Sequence, residues 1–233
     1  MKNKYPEYVD RNVSINAVLD GTTDFKCINK FFCNNEDIKS LKVNISLVAD
    51  KYLKRSIDSY ESYVIQQKYE KFKYLLYRIN KLDRKYVTKL FDKGFAKLKD
   101  MFYHRKFTKG IPEKGHPSGP CIPGIRKLFM DVNGTFYPCE RVSELSEPMN
   151  IGNIYEGLDL DKARDLLNIG KMTENECRNC WAYRFCHSCA IMADNLKELS
   201  AENKISYCKG IRSYIEENLK DYCLLNEFDC NFE

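Results

Sequence analysis

Four cysteines lie within the thirteen residues CRNCWAYRFCHSC, at positions 177–189. They are Cys177, Cys180, Cys186 and Cys189, and they follow the spacing C-x2-C-x5-C-x2-C. Thiolates at such short intervals can bind a metal ion, bind an iron–sulfur cluster, form disulfides or carry out thiol redox chemistry. The choice among these depends on the compartment, on the remaining cysteines and on the elements that hold them.

The composition of the chain predicts a cytoplasmic protein. Of its 233 residues, 43% are hydrophobic and 30% are charged, which suffices for one large or two small domains. No apolar run approaches the roughly 18 residues of a membrane span, and the N-terminal residues lack the apolar stretch of a secretion signal. In a reducing cytoplasm, eleven cysteines indicate metal binding or redox chemistry rather than a disulfide framework.

Two kinds of metal site remain open for residues 177–189. A dithiol of the thioredoxin type is disfavoured, because Cys177 and Cys180 do not lie in a βαβ unit. Four thiolates suit tetrahedral zinc, although all-cysteine zinc sites usually separate their two CxxC pairs by roughly 15–20 residues. An iron–sulfur cluster offers separate iron corners, so it accepts crowded thiols together with distant ones. The distant candidates are Cys121, Cys139 and Cys208.

Aromatic side chains lie between the cysteines. Trp181, Tyr183 and Phe185 could exclude water from a metal centre, which would tune its potential. Each ring is equally compatible with ordinary core packing, so none is assigned a role by the sequence alone.

The N-terminal part of the chain predicts a strand, a helix and a strand. Residues 12–19 and 41–48 are short apolar segments typical of buried strands, and the segment between them has helical character. This order predicts a parallel pair, which needs further strands to form a stable sheet. Residues 59–107 have helical periodicity with a break near KLDRK, and their excess of Lys and Arg is interpreted as a solvated helix face.

The C-terminal part predicts a hairpin and helices around the thiols. Residues 108–120 are rich in Gly and Pro and predict a linker. A hairpin is predicted over roughly 126–140, because two apolar runs flank Asn133-Gly134. Short helices are predicted over 161–169 and 200–219. One face of the second helix contains Ile205, Cys208, Ile211, Ile215 and Leu219, which predicts that Cys208 points inward.

The cysteine pattern resembles that of a known family. Gly134 follows Cys121 after twelve residues, and Cys139 follows Gly134 after four more. With the cysteines of 177–189 and Cys208, these positions resemble the seven-cysteine signature of the SPASM domain. That domain is the auxiliary-cluster module of radical S-adenosylmethionine (SAM) enzymes that modify peptides and proteins. The segments PGIRKLFMDVNGTFYPCERV, IGNIYEG and CRNCWAYRFC are similar to maturases that install thioether links in cysteine-rich ribosomal peptides.

The resemblance implies two 4Fe-4S clusters. The ligands that it implies for the first cluster are Cys121, Cys139 and Cys189, and those for the second are Cys177, Cys180, Cys186 and Cys208. The first cluster would keep one iron for a substrate thiolate or for another cysteine, such as Cys223. The clusters would take part in substrate binding and electron transfer.

Two features depart from the family pattern. Cys186 and Cys189 are separated by two residues, where the family commonly has three. The family's CxxxCxxC motif, which binds the cluster that cleaves SAM, does not occur in this sequence. Cys27 and Cys33 are spaced C-x5-C and are interpreted as core or incidental cysteines. The chain is therefore expected to be catalytically incomplete by itself, with SAM required only if a radical SAM core is supplied.

These observations predict an α+β protein. The predicted parts are a strand–helix–strand segment at 1–58 resembling the end of a partial (β/α)6 barrel, a helical connector at 59–107, a linker at 108–120, a SPASM-like iron–sulfur domain at 121–223 and a tail at 224–233. The expected partners are a precursor peptide and a radical SAM core subunit, whereas neither a membrane nor a nucleic acid is expected. The alternative is a structural zinc-binding adaptor that recognises a protein partner. No catalytic residue is assigned, and Asp131, Glu140, Arg141 and Arg184 are interpreted as supporting or solvated charges.

Overall fold

The computed structural model combines helices with three small sheets, which confirms the α+β class. It describes residues 4–48, 51–52, 60–106, 109–110 and 121–232. Among these residues, no helix combines the length and the hydropathy that crossing a membrane requires. The predicted linker lies almost entirely outside the described residues.

The chain divides into two units. The first contains the described residues up to Arg105 together with those from Leu219 onward, and the second contains the described residues between Lys106 and Asn218. This division differs from the predicted domains, because the tail predicted at 224–233 packs against residues of the helical connector predicted at 59–107. Leu225, Cys230 and Phe232 are buried in one cluster with Leu98.

The first unit begins with a strand–helix–strand motif. Its elements are α1 (Pro6–Asn12), β1 (Ser14–Leu19), α2 (Phe25–Asn34) and β2 (Lys42–Leu47). Asp24 caps α2 by accepting a hydrogen bond from the Lys26 N–H. The two strands pair in parallel, with Ser14 opposite Lys42 and Leu19 opposite Leu47. The predicted parallel pair is therefore confirmed.

The two faces of this sheet differ in polarity. Ile15, Ala17 and Ile45 pack against a buried cluster that includes Phe25 and Tyr63. The opposite face is polar and largely exposed, and on it the Asn44 side-chain amide donates to Asn16 Oδ1 over 3.1 Å. The strands therefore have a packed face and a hydrated face.

Helices complete the first unit and confirm the break predicted near KLDRK. They are α3 (Glu61–Arg78), α4 (Asp92–Leu98), a π-helical turn at Lys99–Tyr103 and two 3-10 turns at Arg84–Tyr86 and Lys89–Phe91. Asn80, just after α3, has a φ of 58°, which ends the helix.

The second unit is built on two short hairpins. They consist of β3 (Phe129–Met130) with β4 (Phe136–Tyr137) and of β5 (Gly152–Asn153) with β6 (Gly157–Leu158). The first confirms the hairpin predicted around Asn133-Gly134. The Ile151 N–H donates to the Phe136 carbonyl over 2.8 Å and links the two hairpins. The buried cluster beneath them contains Tyr137, Val142, Met149, Ile151, Leu166, Ile169, Ala190 and Ala193.

Four helices follow the hairpins. They are α5 (Leu160–Leu167), α6 (Glu174–Arg178), α7 (Ala201–Ser206) and α8 (Cys208–Glu227). The single helix predicted over 200–219 is wrong, because the chain breaks at Tyr207. Lys204 precedes Cys208, Ile211 and Ile215 at helical spacing and is buried on the same face, whereas Ile205 is exposed.

We predict that Gly152→Ala destabilises the second unit. Gly152 has a φ of 127°, and a Cβ there would overlap the carbonyl oxygen of Gly157. The substitution is expected to lower the free energy of unfolding by at least about 3 kcal/mol, measured by denaturant titration. The matched control is Gly210→Ala in α8, where nothing lies within 4 Å of an added Cβ. Gly210→Ala should leave the free energy of unfolding unchanged or raise it by up to about 1 kcal/mol. Equal effects at both positions would contradict the steric requirement for glycine at position 152.

Candidate metal centre

The cysteine-rich segment folds as a series of tight turns. The Cys180 N–H donates to the Cys177 carbonyl over 3.2 Å, the Tyr183 N–H donates to Cys180 over 3.0 Å, and the Cys186 N–H donates to Tyr183 over 3.4 Å. Successive turns of three residues bring side chains at i and i+3 toward one side. The spacing C-x2-C-x5-C therefore matches the turn interval, and it places Cys177, Cys180 and Cys186 together.

The series of turns ends at Cys186, and this separates the last cysteine from the others. Cys186 has a ψ of 133°, and Cys189 is extended with φ of −128° and ψ of 178°. The Ser188 N–H turns back and donates to Cys186 Sγ over 3.4 Å. Cys189 thus continues away from the turns that hold its neighbours in the sequence.

Cys208 joins the first three thiols from the start of α8. Burial raises the pKa of Cys186, and the neighbouring thiols of Cys177, Cys208 and Cys180 raise it further. Burial likewise raises the pKa of Cys208, with smaller contributions from Cys177 and Cys180 in the same direction. We call Cys177, Cys180, Cys186 and Cys208 the four-cysteine set.

An apolar cluster lies against the four-cysteine set. Ala182, Ile211 and Ile215 are buried, and Cys180, Phe185, Cys186, Met192 and Tyr207 pack against them. Trp181, which the sequence suggested could exclude water from a metal centre, is 54% exposed and lies outside this cluster. The protection of these thiols from water therefore comes from α8 and Phe185 rather than from the tryptophan.

Cys189 instead lies near the two upstream cysteines. Burial raises the pKa of Cys121, and the thiols of Cys139 and Cys189 raise it further. Burial also raises the pKa of Cys189, and among thiols its largest influence is Cys139. We call Cys121, Cys139 and Cys189 the three-cysteine set.

The hairpin and an ion pair position the three-cysteine set. Cys139 follows β4 and packs against the cluster beneath the hairpins. Lys127 Nζ lies 2.7 Å from Glu140 Oε1, and this ion pair joins the loop after Cys121 to the residue after Cys139. The same hydrogen bond lowers the pKa of Glu140. Because both side chains are about half exposed, we assign the pair a positioning role rather than a large contribution to stability.

Cations surround the three-cysteine set. The charges of Arg126 and Lys127 act to lower the pKa of Cys121, and that of Arg141 acts to lower the pKa of Cys189, in both cases against the larger effect of burial. Cys121 is also exposed, so this set has one open side.

The thiols do not converge on a single point. Among the described residues, no three Cys, His, Asp or Glu side chains are arranged to hold one metal ion. Tetrahedral zinc requires sulfurs about 3.8 Å apart, since each lies about 2.3 Å from the metal. Neighbouring thiols raise the pKa of Cys121 and Cys189 in one group, and of Cys186 and Cys208 in another. One zinc ion on all four cysteines of residues 177–189 does not fit this grouping, because Cys189 belongs to the other group. Thiols are the donors that 4Fe-4S clusters take, so the donor type of each group fits such a cluster.

The remaining cysteines belong to the first unit. Cys27 and Cys223 are exposed, Cys33 is half-buried beside Thr88, and Cys230 is buried in the core. None of these four cysteines is among the groups that raise the pKa of Cys121, Cys186, Cys189 or Cys208.

The charged residues beside the thiols serve local structure. Asp131 accepts hydrogen bonds from the N–H groups of Asn133 and Thr135, both over 2.8 Å, and so stabilises the hairpin turn. Arg184 donates to the carbonyl of Gly110. These contacts agree with the interpretation of these side chains as supporting charges.

One polar contact to the thiols was not found from the sequence. Thr173 Oγ1 lies 3.3 Å from Cys177 Sγ, and the buried Lys204 donates to the same Thr173 oxygen over 2.9 Å. Helical spacing places Lys204 on the face of Cys208 and Ile211, but the sequence does not indicate burial there, because lysine is rarely buried.

Comparison of the chain with protein-family models, with curated proteins and with solved structures gave no match. The arrangement of the thiols is therefore the basis on which function is inferred.

We predict that the buried thiols of the metal-free protein react slowly at neutral and mildly basic pH. Raised pKa values lower the thiolate fraction of Cys186 and Cys189, and the thiolate is the form that iodoacetamide alkylates. At about pH 8, alkylation of both should be about tenfold slower in the folded protein than in denaturant, measured by peptide mass spectrometry. The difference in rate should narrow as the pH rises well above 9.0, the ordinary pKa of a cysteine thiol. Equal rates in the folded and denatured chain would contradict the burial of these thiols.

Proposed function

We propose that this chain is the auxiliary iron–sulfur portion of a radical SAM enzyme that links a cysteine-rich ribosomal peptide through thioether bonds. Its role is to bind the peptide and to transfer electrons, while a radical SAM core with a CxxxCxxC motif is supplied by a partner subunit or by another part of the protein. The observation that carries the proposal is the grouping of seven thiols into a set of three and a set of four.

This grouping supports the proposal because the chain order does not dictate it. Cys189 is three residues from Cys186, yet it associates with Cys139, fifty residues upstream. Cys208 lies well beyond the segment and associates with Cys177 and Cys180. The same partition of seven cysteines is implied by the resemblance to the SPASM domain. A single zinc knuckle built on residues 177–189 would require Cys189 to remain with its neighbours.

The environment of each set suits a redox centre. In this proposal, each set binds a 4Fe-4S cluster, which when bound supplies one-electron transfer and an iron corner that accepts a thiolate. The chain's own residues exclude water with Ile211 and Ile215 and donate hydrogen bonds to sulfur from Ser188 N–H. Burial, hydrogen bonds to sulfur and solvent exposure are the factors that set the potentials of such clusters.

The two sets have different ligand numbers. The four-cysteine set provides a thiolate for every iron of a cubane, whereas the three-cysteine set leaves one iron for an external ligand. Cys121 is exposed, and Arg126, Lys127 and Arg141 make this side electropositive. We therefore assign peptide binding, through a precursor thiolate, to the three-cysteine set.

The parallel strands of the first unit support an external core. Among the described residues β1 pairs only with β2, so each strand keeps an edge without a backbone partner. Two strands do not form a stable sheet, and the exposed polar face resembles the interior face of a larger barrel. A radical SAM core that adds strands at these edges would complete the sheet and provide the SAM site.

The proposal is tested by metal and sulfide analysis of the chain purified and reconstituted without oxygen. The expected result is a brown protein with roughly eight iron atoms and a similar amount of acid-labile sulfide, the content of two cubanes. A colourless protein with stoichiometric zinc and no sulfide would refute it and would favour the zinc-binding adaptor.

Cysteine variants separate the two sets. Replacing Cys121 and Cys139 with serine should remove about half of the iron, because one of two clusters is lost, and replacing Cys177 and Cys208 should remove the other half. Serine at both Cys27 and Cys33, which lie in the first unit and have no assigned ligand role, is the matched control. It should retain the full content, measured by elemental analysis and absorbance near the cluster charge-transfer bands. Retention of all metal in the Cys121 and Cys139 variant would exclude a centre at the three-cysteine set.

A further inference from the structure

The side chain of Lys204 lies inside the second unit. Only 2% of the residue is exposed, although lysine is almost never fully buried without a charged partner. Its ammonium group donates to Thr173 Oγ1 over 2.9 Å and to the Ile169 carbonyl over 3.3 Å. Both acceptors are neutral.

Among the described residues, Lys204 forms no ion pair with a carboxylate. The ion pairs that do occur there involve other residues. A buried ammonium without an opposite charge is strongly unfavourable. Such a residue indicates that an anionic group is present in the functional protein.

The four-cysteine set is the source of that negative charge. Thr173 lies between the two, since its Oγ1 is 3.3 Å from Cys177 Sγ and accepts from Lys204. Because Lys204 donates to Thr173, the Thr173 hydroxyl proton is available to donate to the sulfur. Lys204 also lies one helical turn before Cys208, and its positive charge acts to lower the pKa of the Cys208 thiol. Four thiolates around zinc, or around a 4Fe-4S cluster, carry a net negative charge.

We propose that Lys204 is the buried counter-charge of the metal centre at the four-cysteine set, and that Thr173 couples it to Cys177. This inference rests on the proposed function. Lys204 is a positioning residue that stabilises the anionic centre and favours its reduced form, because reduction adds one more negative charge beside the ammonium. Removing the ammonium therefore lowers the reduction potential, and it also weakens the binding of the metal.

The test compares Lys204→Met with Lys204→Arg, and Thr173→Val with Thr173→Ser, in the full chain. All four are made with Cys121 and Cys139 replaced by serine, so that only one centre is observed. After anaerobic reconstitution with iron and sulfide, the reduction potential is measured by a redox titration followed by electron paramagnetic resonance. Methionine should lower the equilibrium constant for one-electron reduction about tenfold, which is about 59 mV, whereas arginine should preserve it within about twofold. Thr173→Val should lower this equilibrium constant by a smaller factor. Thr173→Ser should leave it at the value of the parent chain.

A stability measurement separates this role from simple packing. Without metal, Lys204→Met removes an uncompensated buried charge and should raise the melting temperature. With the metal bound, the same substitution should lower the melting temperature and speed iron loss to a chelator. An unchanged potential in the methionine variant, or a change in stability of the same sign in both forms, would overturn the proposal. If Lys204→Met does not fold, Thr173→Val is compared with Thr173→Ser in the same measurements of potential and melting temperature.

The test also distinguishes failure of this inference from failure of the proposed function. If the parent chain holds no iron or sulfide after reconstitution, the proposed function is refuted, and Zn²⁺ alone becomes the probe. A loss of Zn²⁺ affinity of about tenfold in Lys204→Met, with arginine close to the parent, would support the counter-charge. Equal Zn²⁺ affinities in the three chains would overturn it.

Discussion

Thiols that are buried side by side cannot readily ionise, and this constraint governs the second unit. Burial raises the pKa of Cys121, Cys186, Cys189 and Cys208, and in each case neighbouring thiols add to the effect. These shifts favour the protonated form of the four thiols, and a positive ion that displaced the protons would offset the cost of burying thiolates side by side. Disulfide exchange needs accessible thiolates, which the raised pKa values disfavour.

Separate apolar clusters keep the two sets of sulfurs apart. Cys139 packs against the cluster beneath the hairpins, whereas Cys180 and Cys186 pack against the cluster formed with α8. The change of direction between Cys186 and Cys189 lets one short segment serve both clusters. A continuous helix through these residues would have placed all four thiols of the segment in one neighbourhood. The extended backbone at Cys189 is therefore the local feature on which the separation of the two sets of thiols depends.

Local signals in the sequence predicted the elements, but not the division of the last helix. The Asn133-Gly134 turn and the two apolar strands were identifiable because their residue preferences act over a few positions. The break at Tyr207 has no Gly or Pro to announce it. The predicted face is buried at Ile211 and Ile215, but Ile205 is exposed. All four hairpin strands contain two residues, too few for a periodic pattern. The second hairpin was missed because its turn, Ile154 to Glu156, lacks an Asn-Gly pair like that of the first. The grouping of Cys189 with Cys139 was predicted from the family resemblance. No rule of cysteine spacing predicts that the chain changes direction after Cys186.

The unequal surroundings of the two sets argue for a division of labour between them. The four-cysteine set has all its ligands within the chain, lies against Ile211 and Ile215, and has the buried Lys204 nearby. A cation held at a fixed distance in a medium of low polarity affects oxidised and reduced states unequally, so it has its greatest effect where electrons are exchanged. The three-cysteine set has an exposed member and cations in loops, which suit an incoming ligand more than a closed electron carrier. In the proposed function, substrate binding and electron transfer would therefore involve different sulfurs within the second unit.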